Sequence, residues 1–188
     1  MIMVHGRNAG PRNILALVPA LEHADFTYLA PAARDDTWYP YSFLEDIQRN
    51  EPGISSGISV IDQLVDEVLA SGVPVERIVL LGFSQGACLA ATAAVRRPAR
   101  YGGVIVLSGG LIGPPGTVWD GGSFDRAPAF LGCSDPDPHV PTERVDESAA
   151  VFERMGAAVT KRIYPNMGHV VNDDEVAFVR EIMAQAAG

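Results

Sequence analysis

Apolar and polar positions follow two different periods along this chain. Short runs in which nearly every position is apolar alternate with longer stretches in which apolar residues recur every three or four positions. The first pattern suits a strand buried on both faces of a parallel sheet, the second an amphipathic helix. Met1–Val4, Phe26–Ala30, Arg77–Phe83, Val104–Leu107, Ala129–Leu131 and Val159–Tyr164 read as strands. Pro11–Leu21, Ser55–Ala70, Gln85–Val95, Pro141–Met155 and Asp173–Ala186 read as helices. Ile58, Ile61, Leu64, Val65, Val68 and Leu69 form one helical stripe, and Gly72 is placed to stop it. Pro141 suits a first helical turn, and Asp173, Asp174 and Glu175 suit the positive end of the last helix. Pro19 leaves open where the first helix ends, since a proline inside a helix removes a donor and crowds the preceding turn. Residues 31–54, with Pro31, Pro40 and Pro52, show no period and read as a long loop, as does the stretch 109–122.

Strands alternating with helices imply βαβ units: an α/β fold with a doubly wound, mostly parallel sheet and helices on both faces. Chemistry in such sheets sits at the carboxyl ends of the strands. At 188 residues the chain is expected to be a single domain, 1–188. Fourteen Lys and Arg against 23 Asp and Glu give a net charge of −9, which disfavours a general nucleic-acid role and an anionic membrane surface. No run approaches the length of a membrane span, and the N-terminus lacks the cationic start of a signal peptide. Cys88 and Cys133 are too few for a disulfide framework and read as reduced thiols of a cytoplasmic protein.

Gly82-Phe83-Ser84-Gln85-Gly86 fits G-x-S-x-G, with a buried strand before it and an alanine-rich helix after it. A serine forced into so sharp a turn needs neighbours without side chains, and the turn sets its hydroxyl at a helix N-terminus that favours developing negative charge. A plain glycine-rich turn with Ser84 as N-cap would share the pattern but not the context. A nucleophilic serine needs a base, and the base an orienting carboxylate. Of His5, His23, His139 and His169, the last follows a strand and precedes the final helix, where the base of this architecture belongs. His139 stands two residues from Asp137, too near to be oriented by it across a site. Asp135 and Asp137 both offer the acid, and position does not separate them. The backbone N–H groups of Gln85 and of Arg7, in the loop after the first strand, are the expected oxyanion donors.

With His5-Gly6, G-F-S-Q-G-A at 82–87, D-P-H-V-P at 137–141 and G-H at 168–169, the chain resembles the phospholipase/carboxylesterase family of α/β-hydrolases, which includes acyl-protein thioesterases and small bacterial carboxylesterases. The resemblance spans nearly the whole chain. It implies Ser84 as nucleophile, Asp137 rather than Asp135 as acid, His169 as base, and Arg7 as the second oxyanion donor. Two departures carry expectations. The family usually has one or two strands before the His-Gly strand, so Phe26–Ala30 is expected to be an exposed edge, closed by a homodimer or a covering loop. Arg7 stands where thioesterase relatives tend to be apolar, which argues against a long lipid acyl pocket.

Thr37–Phe43 gathers Trp38, Tyr39, Tyr41 and Phe43 after a strand end, so Trp38 and Tyr39 are expected to wall a substrate pocket, with Leu111 on the other side. The same aromatics could instead anchor a long loop on the core. No His/Cys spacing suits zinc and no glycine-rich phosphate loop follows a strand, so neither metal nor cofactor is expected. The expected activity is a serine carboxylesterase acting on small to medium ester substrates. The alternatives are an acyl-thioesterase or lysophospholipase, or a non-catalytic receptor of the same fold.

Overall fold

A computed structural model describes residues 1–21 and 23–188. Five parallel strands, β1 (Ile2–Val4), β2 (Val79–Phe83), β3 (Gly103–Leu107), β4 (Pro128–Asp135) and β5 (Ala158–Pro165), lie side by side in that order. Successive strand residues point to opposite faces, and two cores follow from that. Ile2, Val4, Leu80, Val104, Val106 and Leu131 enter one core, whereas Met3, Leu81, Ile105, Leu107 and Phe130 enter the other. Helices α3 (Gly53–Ala70), α4 (Gln85–Arg96) and α5 (Thr142–Arg154) contribute to the first core. The short helices α1 (Pro11–Leu15) and α2 (Val18–Leu21), with α6 (Asp173–Ala187), contribute to the second.

Helix α3 buries Ile54, Ile58, Ile61 and Val65, one face at helical spacing. Every residue of α4 from Gln85 to Val95 is buried. Its run of alanines is the reason it can: small side chains let it lie between the sheet and α3. Edge strand β5 is mostly half-buried and carries Lys161 and Arg162, paired with Asp146 and Asp174. Charges on an edge discourage pairing with another chain.

Several elements differ from expectation, and β4 runs on to Asp135, beyond the expected Ala129–Leu131. The first helix breaks after Leu15, and its residues 18–21 form a separate turn. Pro19 has no N–H to give the Leu15 carbonyl and its ring would crowd it. Phe26–Ala30 is not a strand: Leu29 alone pairs with Ile2, exchanging backbone bonds with Met1 and Met3 at 2.9 and 2.8 Å. The terminal amine of Met1 donates to the Thr27 carbonyl in the same register, and before it the Phe26 N–H turns back to the His23 carbonyl, so the pairing stops short of Phe26. The segment covers the outer edge of β1 without extending the sheet. The long loop contains two 3-10 turns, Arg34–Asp36 and Ile47–Asn50, and α3 starts two residues early.

Candidate active site

The loops that leave β1, β2, β4 and β5 at their carboxyl ends meet at one place. Ser84 holds the turn between β2 and α4 with φ 55° and ψ −122°, a conformation non-glycine residues rarely adopt. The two glycines of the motif explain how it persists. A Cβ on Gly82 would lie 2.3 Å from the Gly86 carbonyl oxygen, and one on Gly86 would lie 2.2 Å from that of Val4. The turn is thus pressed against the end of β1, and its own N–H is fixed to the Leu107 carbonyl at 2.9 Å.

The Ser84 hydroxyl lies 2.8 Å from His169 Nε2, and His169 Nδ1 lies 2.8 Å from Asp137 Oδ2. The Asp137 side chain is fully buried and that of His169 is 17% exposed. Burial by itself would push the Asp137 carboxyl up. Hydrogen bonds from His169 and from the N–H groups of His139 and Val140 outweigh it and hold the carboxyl below its ordinary value. An ionised Asp137 accepts from Nδ1–H, which leaves Nε2 free to accept from the serine hydroxyl. Asp135, the other carboxylate considered, lies on the last residue of β4 and is exposed.

The loops carrying these groups are tied by side chains. Asp137 Oδ1 accepts from the N–H groups of His139 and Val140 at 2.8 and 3.0 Å, an Asx-type turn. Ser134 Oγ accepts from the Gly168 N–H at 2.9 Å, and the Asn166 N–H donates to the Asp135 carbonyl at 3.0 Å. The Phe83 and His139 rings pack on the His169 ring at 5.0 and 4.8 Å, His139 edge-on.

A cavity of about 510 Å3 opens over Ser84, bordered by Arg7, Tyr39, Phe83 and His139 among others. Arg7 and Gln85 border it, and among the described residues neither backbone N–H donates to another group of the protein. The Arg7 guanidinium donates to the carbonyls of Pro40 and Tyr41 at 2.8 and 2.7 Å, which fastens the aromatic loop over the mouth. Gln85 does the same from below: its side chain accepts from the Trp38 N–H at 3.0 Å and donates to the Tyr39 carbonyl at 2.8 Å.

Of the residues expected to line the pocket, Tyr39 does so. Trp38 does not. Its indole N–H donates to the His5 carbonyl at 2.9 Å and its ring packs on that of His5, so it anchors the loop on the core. Leu111 is also buried elsewhere, its N–H bound to Ser148 Oγ at 2.8 Å, because its loop turns over α5 and not toward Ser84. His139, set aside on sequence grounds, reaches the cavity: the turn at Asp137 carries its ring back onto His169. The signal was present, since an Asp two residues before an N–H commonly closes such a turn. Cys88, one turn along α4, forms part of the cavity wall, with its thiol pushed up to about 11 by burial.

Strand, sharp turn and helix around Ser84, with a histidine and a carboxylate supplied from later strand ends, define the class of α/β-hydrolases. The sequence profile of the phospholipase/carboxylesterase family matches residues 21–186. The chain belongs to that family. A phospholipase/carboxylesterase from Dyadobacter fermentans superposes with a TM-score of 0.93 at 38% identity, covering 97% of this chain and 88% of that one. Acyl-protein thioesterase 1 of Gibberella zeae is 31% identical over 147 residues, 73% of this chain and 63% of the fungal one. That of Eremothecium gossypii is 28% identical over 182 residues, 86% of this chain and 76% of its own. The chain thus spans just under two thirds of the first fungal relative. No described helix is long and apolar enough to cross a membrane.

Proposed function

We propose that this chain, acting as one domain over residues 1–188, hydrolyses small to medium carboxylic esters through an acyl-enzyme on Ser84. The observation that carries the reading is the unbroken hydrogen-bonded row from Ser84 Oγ through His169 to Asp137 at the floor of an open cavity. His169 Nε2 takes the hydroxyl proton as Oγ attacks the ester carbonyl carbon. The oxyanion accepts from the free N–H groups of Arg7 and Gln85, each such donor being worth about 3 kcal/mol in the transition state. Collapse breaks the bond to the alcohol oxygen, which leaves with the proton from His169. Water then attacks the acyl carbon by the same route, giving its proton to His169 and freeing the acid and Ser84. Asp137 stays ionised and holds the imidazole in the tautomer this cycle needs.

The cavity size and the Arg7 clamp over its mouth favour a short or compact acyl group. The fungal relatives' name favours a second reading, thioester cleavage, by the same chemistry. The buried, unpaired Cys88 and Cys133 fit a reducing, cytoplasmic setting. The sparsely paired edge beyond β1 supports a homodimer, which a monomeric sedimentation profile would remove. Ser84→Ala is expected to fold normally and to lose on the order of 10^5-fold or more in kcat toward p-nitrophenyl acetate. Full activity in that variant, or failure of the natural protein to take up a fluorophosphonate probe, would overturn the esterase reading. Matched esters and thioesters of two and eight acyl carbons separate the two leaving groups.

A further inference from the structure

Glu175 lies in the first turn of α6, six residues beyond His169, and is fully buried. Its Oε2 accepts from the Asn172 N–H at 3.0 Å, while Asn172 Oδ1 accepts from the Glu175 N–H at 2.8 Å. Oε1 has no hydrogen-bond partner among the described residues. It rests against β4 at Gly132, where a Cβ would come within 2.1 Å of it, so glycine at 132 makes the room. The next residue is Cys133, whose Sγ lies 3.9 Å from Asp137 Oδ2. At the other end, Asn172 Nδ2 contacts Met167 Sδ at 2.8 Å, within the loop that presents His169. The carboxyl therefore joins the two segments that supply the acid and the base, touching neither.

We propose that Glu175 is a positioning residue for His169: a neutral carboxyl that packs the end of β4 against the root of the His169 loop, and that loosens this contact when it ionises. The proposal rests on reading His169 as the base. An ionised carboxylate with one bare oxygen in a dry site is costly, whereas the neutral acid is tolerated there. Burial pushes the Glu175 carboxyl up to about 7, opposed by the Asn172 N–H and reinforced by the charge of Asp174. From β5 Tyr164 lies near it, a group whose own ionisation lies higher still, while Cys133 of β4 points into the opposite core. Asp174 is engaged with Arg162 and Tyr164 on β5. None of these neighbours supplies a positive charge to the bare oxygen, so the proton is what neutralises it.

The test is Glu175→Gln, which keeps the shape and cannot ionise. Two readouts are followed from pH 5 to 9: the His169 imidazole by NMR without substrate, and kcat and KM for p-nitrophenyl acetate. The natural protein should show a second inflection in the imidazole titration near pH 7, with kcat falling at least threefold above it and KM little changed. In Glu175→Gln the inflection should vanish and kcat at pH 8 should stay on its plateau. A Glu175→Gln profile that superposes on the natural one in both readouts overturns the proposal. If no ester is turned over by either protein, the esterase reading fails, and the imidazole titration still decides the role of Glu175.

Discussion

The turn at Ser84 and the loops that carry Asp137 and His169 belong to one site but are held in different ways. The turn is fixed by backbone packing: Gly82 leaves room for the start of α4, and Gly86 lets α4 press on the end of β1. No side-chain hydrogen bond caps it. The two later loops share one backbone bond and are otherwise fixed by side chains, through Ser134, the Asx turn at Asp137, and the paired cap of Asn172 and Glu175. Space is the vulnerable quantity in the first region and hydrogen bonding in the second. In the proposed roles, a strained nucleophile gains from a rigid steric mould, whereas an acid and a base need partners that also set their charge.

The comparison can be broken at several points. Asp137→Asn should leave the fold intact and lower kcat by about 10^4-fold, because the amide cannot hold the required imidazole tautomer. It should also remove a pH dependence of stability. The Asp137 carboxyl sits below its ordinary value in the folded state, so the stability it adds is present above the ordinary carboxylate range and is lost as pH falls through the depressed value. Acid denaturation followed by circular dichroism should shift accordingly. If Asp137→Asn retains most of its kcat, the later loops do not orient the base as described.

Gly86→Val tests the steric half. Its side chain would meet the carbonyls of Val4 and His5, so a loss of at least about 3 kcal/mol in stability is expected, read by urea unfolding. An unchanged midpoint would show that the turn is not packed this tightly. Glu175→Gln should be more stable than the natural protein at pH 8 and equal to it near pH 4. A carboxyl raised from 4.5 to about 7 holds its proton more tightly when folded, so natural stability falls as pH climbs through that window, by roughly 3 kcal/mol. The smallest effect is expected for Ser134→Ala, which removes one bond to the His169 loop. About 1 kcal/mol of stability and a few-fold loss of kcat should follow, with KM unchanged.

Much of the fold was legible because burial imposes a period. Five of the six expected strands form, and the helix after Ser84 could be foreseen from its alanines. Phe26–Ala30 failed because an apolar run does not show that a neighbouring backbone is free to pair along its length. In the site, the residues at strand ends were findable, since topology sends successive strand ends to one rim. The pocket walls were not. Trp38 and Tyr39 are adjacent aromatics, yet one turns inward to His5 and the other borders the cavity, a choice made by Gln85, 46 residues along from Tyr39.

By itself the sequence determined the alternation of strands and helices and the sharp turn at Ser84. Each of these is set by local sterics or by a period within one segment. Only the tertiary structure decided which aromatics face the cavity, that His139 returns to pack on His169, and that Glu175 is sealed against Gly132. Those outcomes depend on side chains far apart in the chain competing for the same few cubic ångströms and the same carbonyl oxygens, a competition that no single segment records.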